Sequence, residues 1–379
     1  MRSIIYVVVS LLGLASALRA QASHLAFPTP SPAVTVTRDV QFGISESLPL
    51  AMDLYQLPRA RGRTRPALIF FTMGSGSDRL WAFYVAWAKT AASREMVGII
   101  PDLRSGHQAQ DFQMLVDYLV QHGGKLGIDT AAIAVYAASG NVSTALPLLE
   151  DPRQTAIKSA VIYYGAAPIT AFRRDLPLLY VRAGLDRPNV NKEITSLATL
   201  AISQNAPITI LNHTTGYHGF EELNDDDATH DVIARTLEFV RHTTSKGYRS
   251  ALARRLREAD AAAAVLTGDY GQATSIYAEL LRVRPTDARL ALSYGEALVG
   301  DHRYGEACTL FDSLKGKGLG YRDLGVPAAQ ACAQAEKPEA AIAWIASIPQ
   351  RFRPASLAND PAFSALQSRA DFRALFPPP

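Results

Sequence analysis

The chain has 379 residues, more than one hydrophobic core usually organises, so its length points to two domains or one domain with a sizeable appendage. Hydrophobic residues make up 48% and charged residues 19%, ample apolar material for burial, which excludes a disordered or fibrous chain. Lys plus Arg number 38 against 35 Asp plus Glu, so a net charge of +3 supplies no general field for nucleic acid, and two cysteines allow at most one bridge and no four-cysteine zinc site.

Residues 1–22 read as a signal peptide. Arg2 precedes an uncharged stretch from Ser3 to Leu18, Arg19 ends it, and the small residues of Ala20-Gln21-Ala22 stand just before Ser23, as a signal peptidase requires. A retained anchor is the other reading, because the uncharged stretch approaches the lower limit of a membrane span. No later segment is long and apolar enough to span a bilayer. The expected location is periplasmic or secreted, where Cys308 and Cys332 can be oxidised.

Residues 23–245 alternate strands and helices. Val34–Val36 and Leu50–Tyr55 carry period-two patterning around a turn-like Gly43–Glu46, which predicts an antiparallel hairpin. Wholly apolar runs at Ala67–Phe71, Val97–Ile100, Ala132–Tyr136, Ala160–Tyr164, Leu178–Val181 and Ile208–Leu211 predict strands buried on both faces. Helical stretches fall between them at Trp81–Ser93, Asp111–His122, Val142–Leu149 and Lys192–Gln204, and Thr229–His242 closes the series. The fold class this implies is α/β, a mostly parallel sheet with helices on both faces, whose reactive groups belong at the carboxyl ends of the strands.

At the end of the strand Ala132–Tyr136 stands Ala137-Ala138-Ser139-Gly140-Asn141, followed by a helix. A serine at a sharp strand-to-helix turn fits a nucleophile elbow, although Ala137 and Asn141 replace the two glycines of Gly-x-Ser-x-Gly; a helix N-cap is the plainer reading of such a serine. Asn141 is the bulkier departure, tolerable because Asn accepts left-handed geometry. Asp186 ends the strand Leu178–Val181 through Ala183-Gly184-Leu185, and His218 follows the strand Ile208–Leu211. Singly, Asp186 is a turn acid and His218 a loop histidine. Together the order Ser, Asp, His, each at a strand's end, is that of a hydrolase triad, with His218 as the base that activates Ser139 and Asp186 as the acid that orients it. Asp226 and Asp227 are alternative acids. His213 and His230 belong to no His-Glu-x-x-His pattern, so no metal and no cofactor are implied. Glu221, Glu222 and Asp225–Asp227 read as solvated charge, and Arg59, Arg61, Arg63 and Arg65 as an exposed basic turn.

On these segments, with Asp53-Leu54-Tyr55, Ile100-Pro101-Asp102-Leu103-Arg104 and His218-Gly219-Phe220, residues 34–245 resemble the α/β-hydrolases of the dienelactone-hydrolase-like and esterase group. The resemblance implies an acyl-enzyme intermediate on Ser139 and hydrolysis of an ester or related acyl bond. Where many esterases carry His-Gly-Gly, this chain has Thr72-Met73-Gly74-Ser75-Gly76, so the oxyanion donors are Gly140 with Met73 or Gly74. As a phosphate cradle this loop lacks the Gly-Lys-Ser/Thr ending.

Residues 246–379 are alanine-rich and helical. Gly268-Asp269-Tyr270-Gly271-Gln272-Ala273 aligns with His302-Arg303-Tyr304-Gly305-Glu306-Ala307 at an offset of 34; Tyr277 then matches Phe311, and Ala341 and Ile345 stand a further 34 on. Pro285 and Pro349 close the first and third units, and Pro338 marks where the second helix of the third begins. This period resembles the tetratricopeptide repeat, and three units form a stack that implies a protein or peptide partner or a structural buttress. Asp360–Phe363 and Asp371-Phe372 read as a short capping helix pair. In this register Cys308 and Cys332 fall on adjacent helices, either bridged or as two buried thiols.

The chain is thus read as a secreted serine hydrolase of a small-molecule acyl substrate, fused to a repeat domain, with no nucleic-acid partner and no transmembrane span once the signal is removed. The alternatives are an inactive hydrolase-fold scaffold and a peptidase of the same fold.

Overall fold

The computed structural model describes residues 25–28, 33–58 and 62–377. The export segment through Ser23, and Arg59 and Arg61 of the basic run, lie outside the described residues. Among the described residues no helix is long and apolar enough to cross a membrane. The chain divides into two compact units, the first ending at Ser245 and the second beginning at Lys246.

The first unit is an eight-stranded sheet in the order β1-β2-β4-β3-β5-β6-β7-β8. Its strands are β1 (Thr35–Ser45), β2 (Leu48–Gln56), β3 (Arg65–Phe70), β4 (Val97–Pro101), β5 (Ile128–Ala138), β6 (Ile157–Tyr163), β7 (Leu178–Ala183) and β8 (Ile208–His213). β1 and β2 pair antiparallel, β2 runs antiparallel to β4, and all other pairs are parallel. With helices on both faces, this is a mostly parallel α/β arrangement. Alternation along the strands separates two apolar layers. Ala67, Ile69, Val135 and Ile162 face α2 (Gln108–Leu126), α3 (Val142–Glu150) and α4 (Pro188–Ser203), whereas Leu68, Phe70, Tyr136 and Val161 face α1 (Ala82–Ser93) and α6 (Asp227–Thr243).

Three local expectations are corrected. The hairpin turns at Glu46 and Ser47, both with positive φ, while Gly43 lies inside β1 beside a register shift; a Cβ there would stand 1.9 Å from Met114 Sδ, so this glycine admits α2 rather than making the turn. β8 is half-exposed rather than buried on both faces, because it is the last strand and only one neighbour covers it. Arg65 is buried, not part of an exposed basic turn: its guanidinium donates to the carbonyls of Leu57 and Pro58 at 3.1 and 3.2 Å.

The second unit is all-α: α7 (Lys246–Leu266), α8 (Tyr270–Val283), α9 (Ala288–Gly300), α10 (Tyr304–Ser313), α11 (Tyr321–Gln334) and α12 (Pro338–Ser347), each packed on the next. Large side chains enter glycine notches: a Cβ on Gly300 would lie 2.3 Å from the Tyr270 ring, one on Gly295 2.4 Å from Phe311, and one on Gly325 2.6 Å from Ile348. Asp269 and Asp287 cap α8 and α9 by accepting from the N–H groups of Gln272 and Leu290. Beyond α12 the expected capping helix pair is instead a 3₁₀ segment, Pro361–Leu366, and the short α13 (Ala370–Ala374), which bury Phe363 and Phe372 in the same core as Trp344. Cys308 on α10 and Cys332 on α11 form a disulfide.

Candidate active site

β5 ends at Ala138, a 3₁₀ turn spans Ser139–Asn141, and α3 starts at Val142. Ser139 has φ of 55°, a left-handed conformation that a β-substituted residue adopts only under constraint from its surroundings. That turn projects Oγ to 2.6 Å from His218 Nε2, and His218 Nδ1 lies 2.7 Å from Asp186 Oδ2. The three side chains that the sequence places at separate strand ends therefore form one hydrogen-bonded chain.

Asp186 and His218 are held by strand-end geometry. Gly184 N–H donates to the His213 carbonyl at 2.7 Å and Leu185 N–H to that of Gly216 at 2.9 Å, so the turn bearing Asp186 is bonded to the loop bearing His218. A Cβ on Gly184 would lie 2.4 Å from the Thr214 carbonyl oxygen, which explains why glycine stands at this crossing. The Asp186 side chain is fully buried, and its second oxygen accepts from Arg187 N–H at 2.7 Å. Asn191 on α4 donates to the Gly184 and Asp186 carbonyls at 3.3 and 3.4 Å, bracing the same turn.

Asn141 is not left-handed; its φ and ψ of −64° and −24° are ordinary helical values. Its amide donates to the Phe71 carbonyl at 3.1 Å and to Tyr84 Oη at 3.3 Å, tying the Ser139 turn to the loop after β3. The strict need for glycine falls elsewhere. Gly165, just past β6, would place a Cβ 2.4 Å from the Ser139 carbonyl oxygen and 2.6 Å from Val142.

The same loop narrows the choice of oxyanion donors. Asp78, a buried acid, accepts from Gly74 N–H at 2.7 Å, from Ser75 N–H at 3.1 Å and from Ser75 Oγ–H. Gly74 N–H is thus committed, contrary to its place among the expected donors. Met73 N–H has no acceptor among the described residues, and Gly140 N–H sits at the start of its turn, where no intrahelical acceptor exists. Arg79 anchors the segment after Asp78 through Asp39, Asp53 and Asp102, at 2.7, 2.6 and 2.8 Å.

The remaining polar candidates do not join this chain. Asp226 caps α6, accepting from Thr229 N–H at 2.8 Å, and Asp227 is the first residue of that helix. His213 is buried against Phe220 and bonds Thr229 Oγ1 at 2.9 Å; His230 bonds Asp225 at 2.8 Å. Glu221, expected in solvent, is fully buried and accepts from the hydroxyls of Tyr136, at 2.7 Å, and Tyr164.

Burial pushes the Glu221 carboxyl up from an ordinary 4.5 to about 7, outweighing the two tyrosine hydrogen bonds that lower it. The folded chain retains a proton there that the unfolded chain releases, so this stabilisation is complete below about pH 4.5 and lost as pH rises through about 7. Glu221→Gln, which cannot ionise, should therefore gain in melting temperature relative to wild type between pH 5 and pH 8. A difference that stays constant over that range would contradict the buried-acid account.

Sequence reasoning missed Asp78, Tyr164, Gly165, Asn191 and Glu221. Two had legible signals: Ser75-x-x-Asp78 has the spacing of a local side-chain-to-backbone cap, and Gly165 directly follows a buried strand.

No protein-family model matches the chain. No curated protein matches it. Among solved structures the chain is similar to an esterase of Mycobacterium marinum (13% identity over 55% of this chain and 82% of that one, TM-score 0.45). It is also similar to esterases of Rhizomucor miehei (15%, 57% and 86%, TM-score 0.48) and to carboxyl esterase 2 of Tuber melanosporum (15%, 56% and 87%, TM-score 0.47).

Proposed function

We propose that the first unit is a serine hydrolase that cleaves an ester or related acyl bond through an acyl-enzyme. The observation that carries this reading is the 2.6 Å contact of Ser139 Oγ with His218 Nε2, made by a serine held at positive φ at a strand's end. A serine hydroxyl is a poor nucleophile at neutral pH. As Oγ attacks the carbonyl carbon, His218 Nε2 takes its proton, Asp186 stabilises the resulting imidazolium, and the Gly140 and Met73 N–H groups receive the oxyanion. Collapse of the adduct expels the alcohol with the proton from His218. Water then attacks the acyl-serine by the same route in reverse.

A cavity of about 640 Å³ is lined by Ala166, Ala167, Pro168 and Ile169, just past Gly165, and by Asn189, Lys192, Glu193, Ser196 and Leu197 of α4. The Cys308–Cys332 bridge supports export to an oxidising compartment after loss of residues 1–22. The helical unit, with its 34-residue period, is read as a tetratricopeptide-like stack that docks a protein or peptide partner.

Alanine substitutions test the assignment of the base. His218→Ala should lower kcat for a p-nitrophenyl ester by about 10³-fold or more, whereas His213→Ala and His230→Ala should stay within about tenfold of wild type. Equal losses in all three would remove His218 from its role.

A further inference from the structure

Glu221 stands three residues beyond His218, on the one-turn helix α5 (Phe220–Leu223), buried beside a mainly aromatic and aliphatic layer. Its Oε1 accepts from Tyr136, three residues before Ser139 on β5, and from Tyr164, the residue after β6, while Oε2 is buried with no partner among the described residues. Stability alone does not call for such a group, since apolar side chains often fill the place of buried ionisable ones without loss.

Tyr164 connects this acid to the centre. Its ring packs on the His218 imidazole, centroids 4.7 Å apart at 56°, and its backbone has φ of 30°, with N–H donating to the Val181 carbonyl at 2.8 Å. The next residue, Gly165, abuts the Ser139 carbonyl. Asp186 and Ser139 hold the two nitrogens of His218 but leave the ring free to tilt about the line joining them. The Tyr164 ring, in tilted contact with the imidazole, restricts that freedom.

We infer that Glu221 is a positioning residue: through its hydrogen bond to Tyr164 it sets the plane of His218 relative to the Ser139 hydroxyl. The inference rests on the Ser139–His218 reading above. Small errors in the placement of reacting groups lower the rate of the chemical step more than they weaken binding.

The test compares full-length wild type with Tyr164→Phe, Glu221→Gln, their double variant and Tyr163→Phe, using p-nitrophenyl acetate and the downfield proton resonance of His218 Nδ1–H. Tyr163→Phe is the matched control, because its hydroxyl pairs with Thr236 Oγ1 and not with Glu221. Tyr164→Phe should lower kcat by about tenfold with KM within about twofold, and should shift or broaden the His218 resonance. Glu221→Gln keeps an acceptor for both hydroxyls and should remain within about threefold; adding it to Tyr164→Phe should cost nothing more. Tyr164→Phe matching Tyr163→Phe in kcat and resonance would overturn the inference. If the wild type does not turn over the ester, the hydrolase reading fails by itself, and the His218 resonance alone decides whether Tyr164 positions the ring.

Discussion

Ser139→Ala is expected to abolish turnover, by on the order of 10⁴-fold or more in kcat, while leaving the melting temperature within about 2 °C of wild type. The two halves of this expectation have separate causes. The hydroxyl is the only group at the turn that can form the acyl bond, and without it Asp186 and His218 have no nucleophile to activate. Oγ contributes little to the fold, because the side chain is not buried in either apolar layer and the turn is held by other contacts: Asn141 to the Phe71 carbonyl, and Gly165 against the Ser139 backbone. Ala at φ of 55° is strained much as Ser is, so the backbone term nearly cancels. Retained turnover would show that the chemistry resides elsewhere, and a large loss of stability would mean that Ser139 is structural.

Removing the disulfide is expected to have the largest effect on stability. Cys308 and Cys332 are both fully buried, 24 residues apart in sequence, with Cα atoms 4.8 Å apart. Closing a loop of that length restricts the unfolded chain by roughly 3 kcal/mol in the chain-entropy model. Cys308→Ala with Cys332→Ala should therefore lower the melting transition of the helical unit by on the order of 10 °C. The first unit is a separate compact body with its own core, so ester turnover at room temperature should stay within about twofold. Thiol counting on denatured, unreduced protein should find none; two free thiols, or a double variant that melts with the wild type, would remove the bridge from the account.

Much of the sheet was legible because its interior strands are short apolar runs bounded by turns, a pattern imposed by burial on both faces. The sequence places Ser139, Asp186 and His218 in this order after the ends of three strands, and the structure brings their side chains into one hydrogen-bonded chain. What sequence could not convey depends on contacts across the fold. Asn141 replaces a glycine, but its role as a donor to Phe71 appears only when β3 and β5 are neighbours. Gly74 resembles a free donor until Asp78 folds back on it. Glu221 carries the same charge as the exposed acids that follow it, and only the placement of Tyr136 and Tyr164 puts it in the interior. A glycine in a hairpin suggests the turn, whereas Gly43 makes room for Met114.

Labelling with a fluorophosphonate probe, followed by mass mapping of the modified peptide, tests the central claim most directly, because the probe reacts only with a serine whose hydroxyl is activated by its neighbours. The account predicts a single phosphonylated residue, Ser139, and no labelling of the Ser139→Ala variant. A folded wild-type protein that takes up no probe, or that is labelled at another residue, would contradict it.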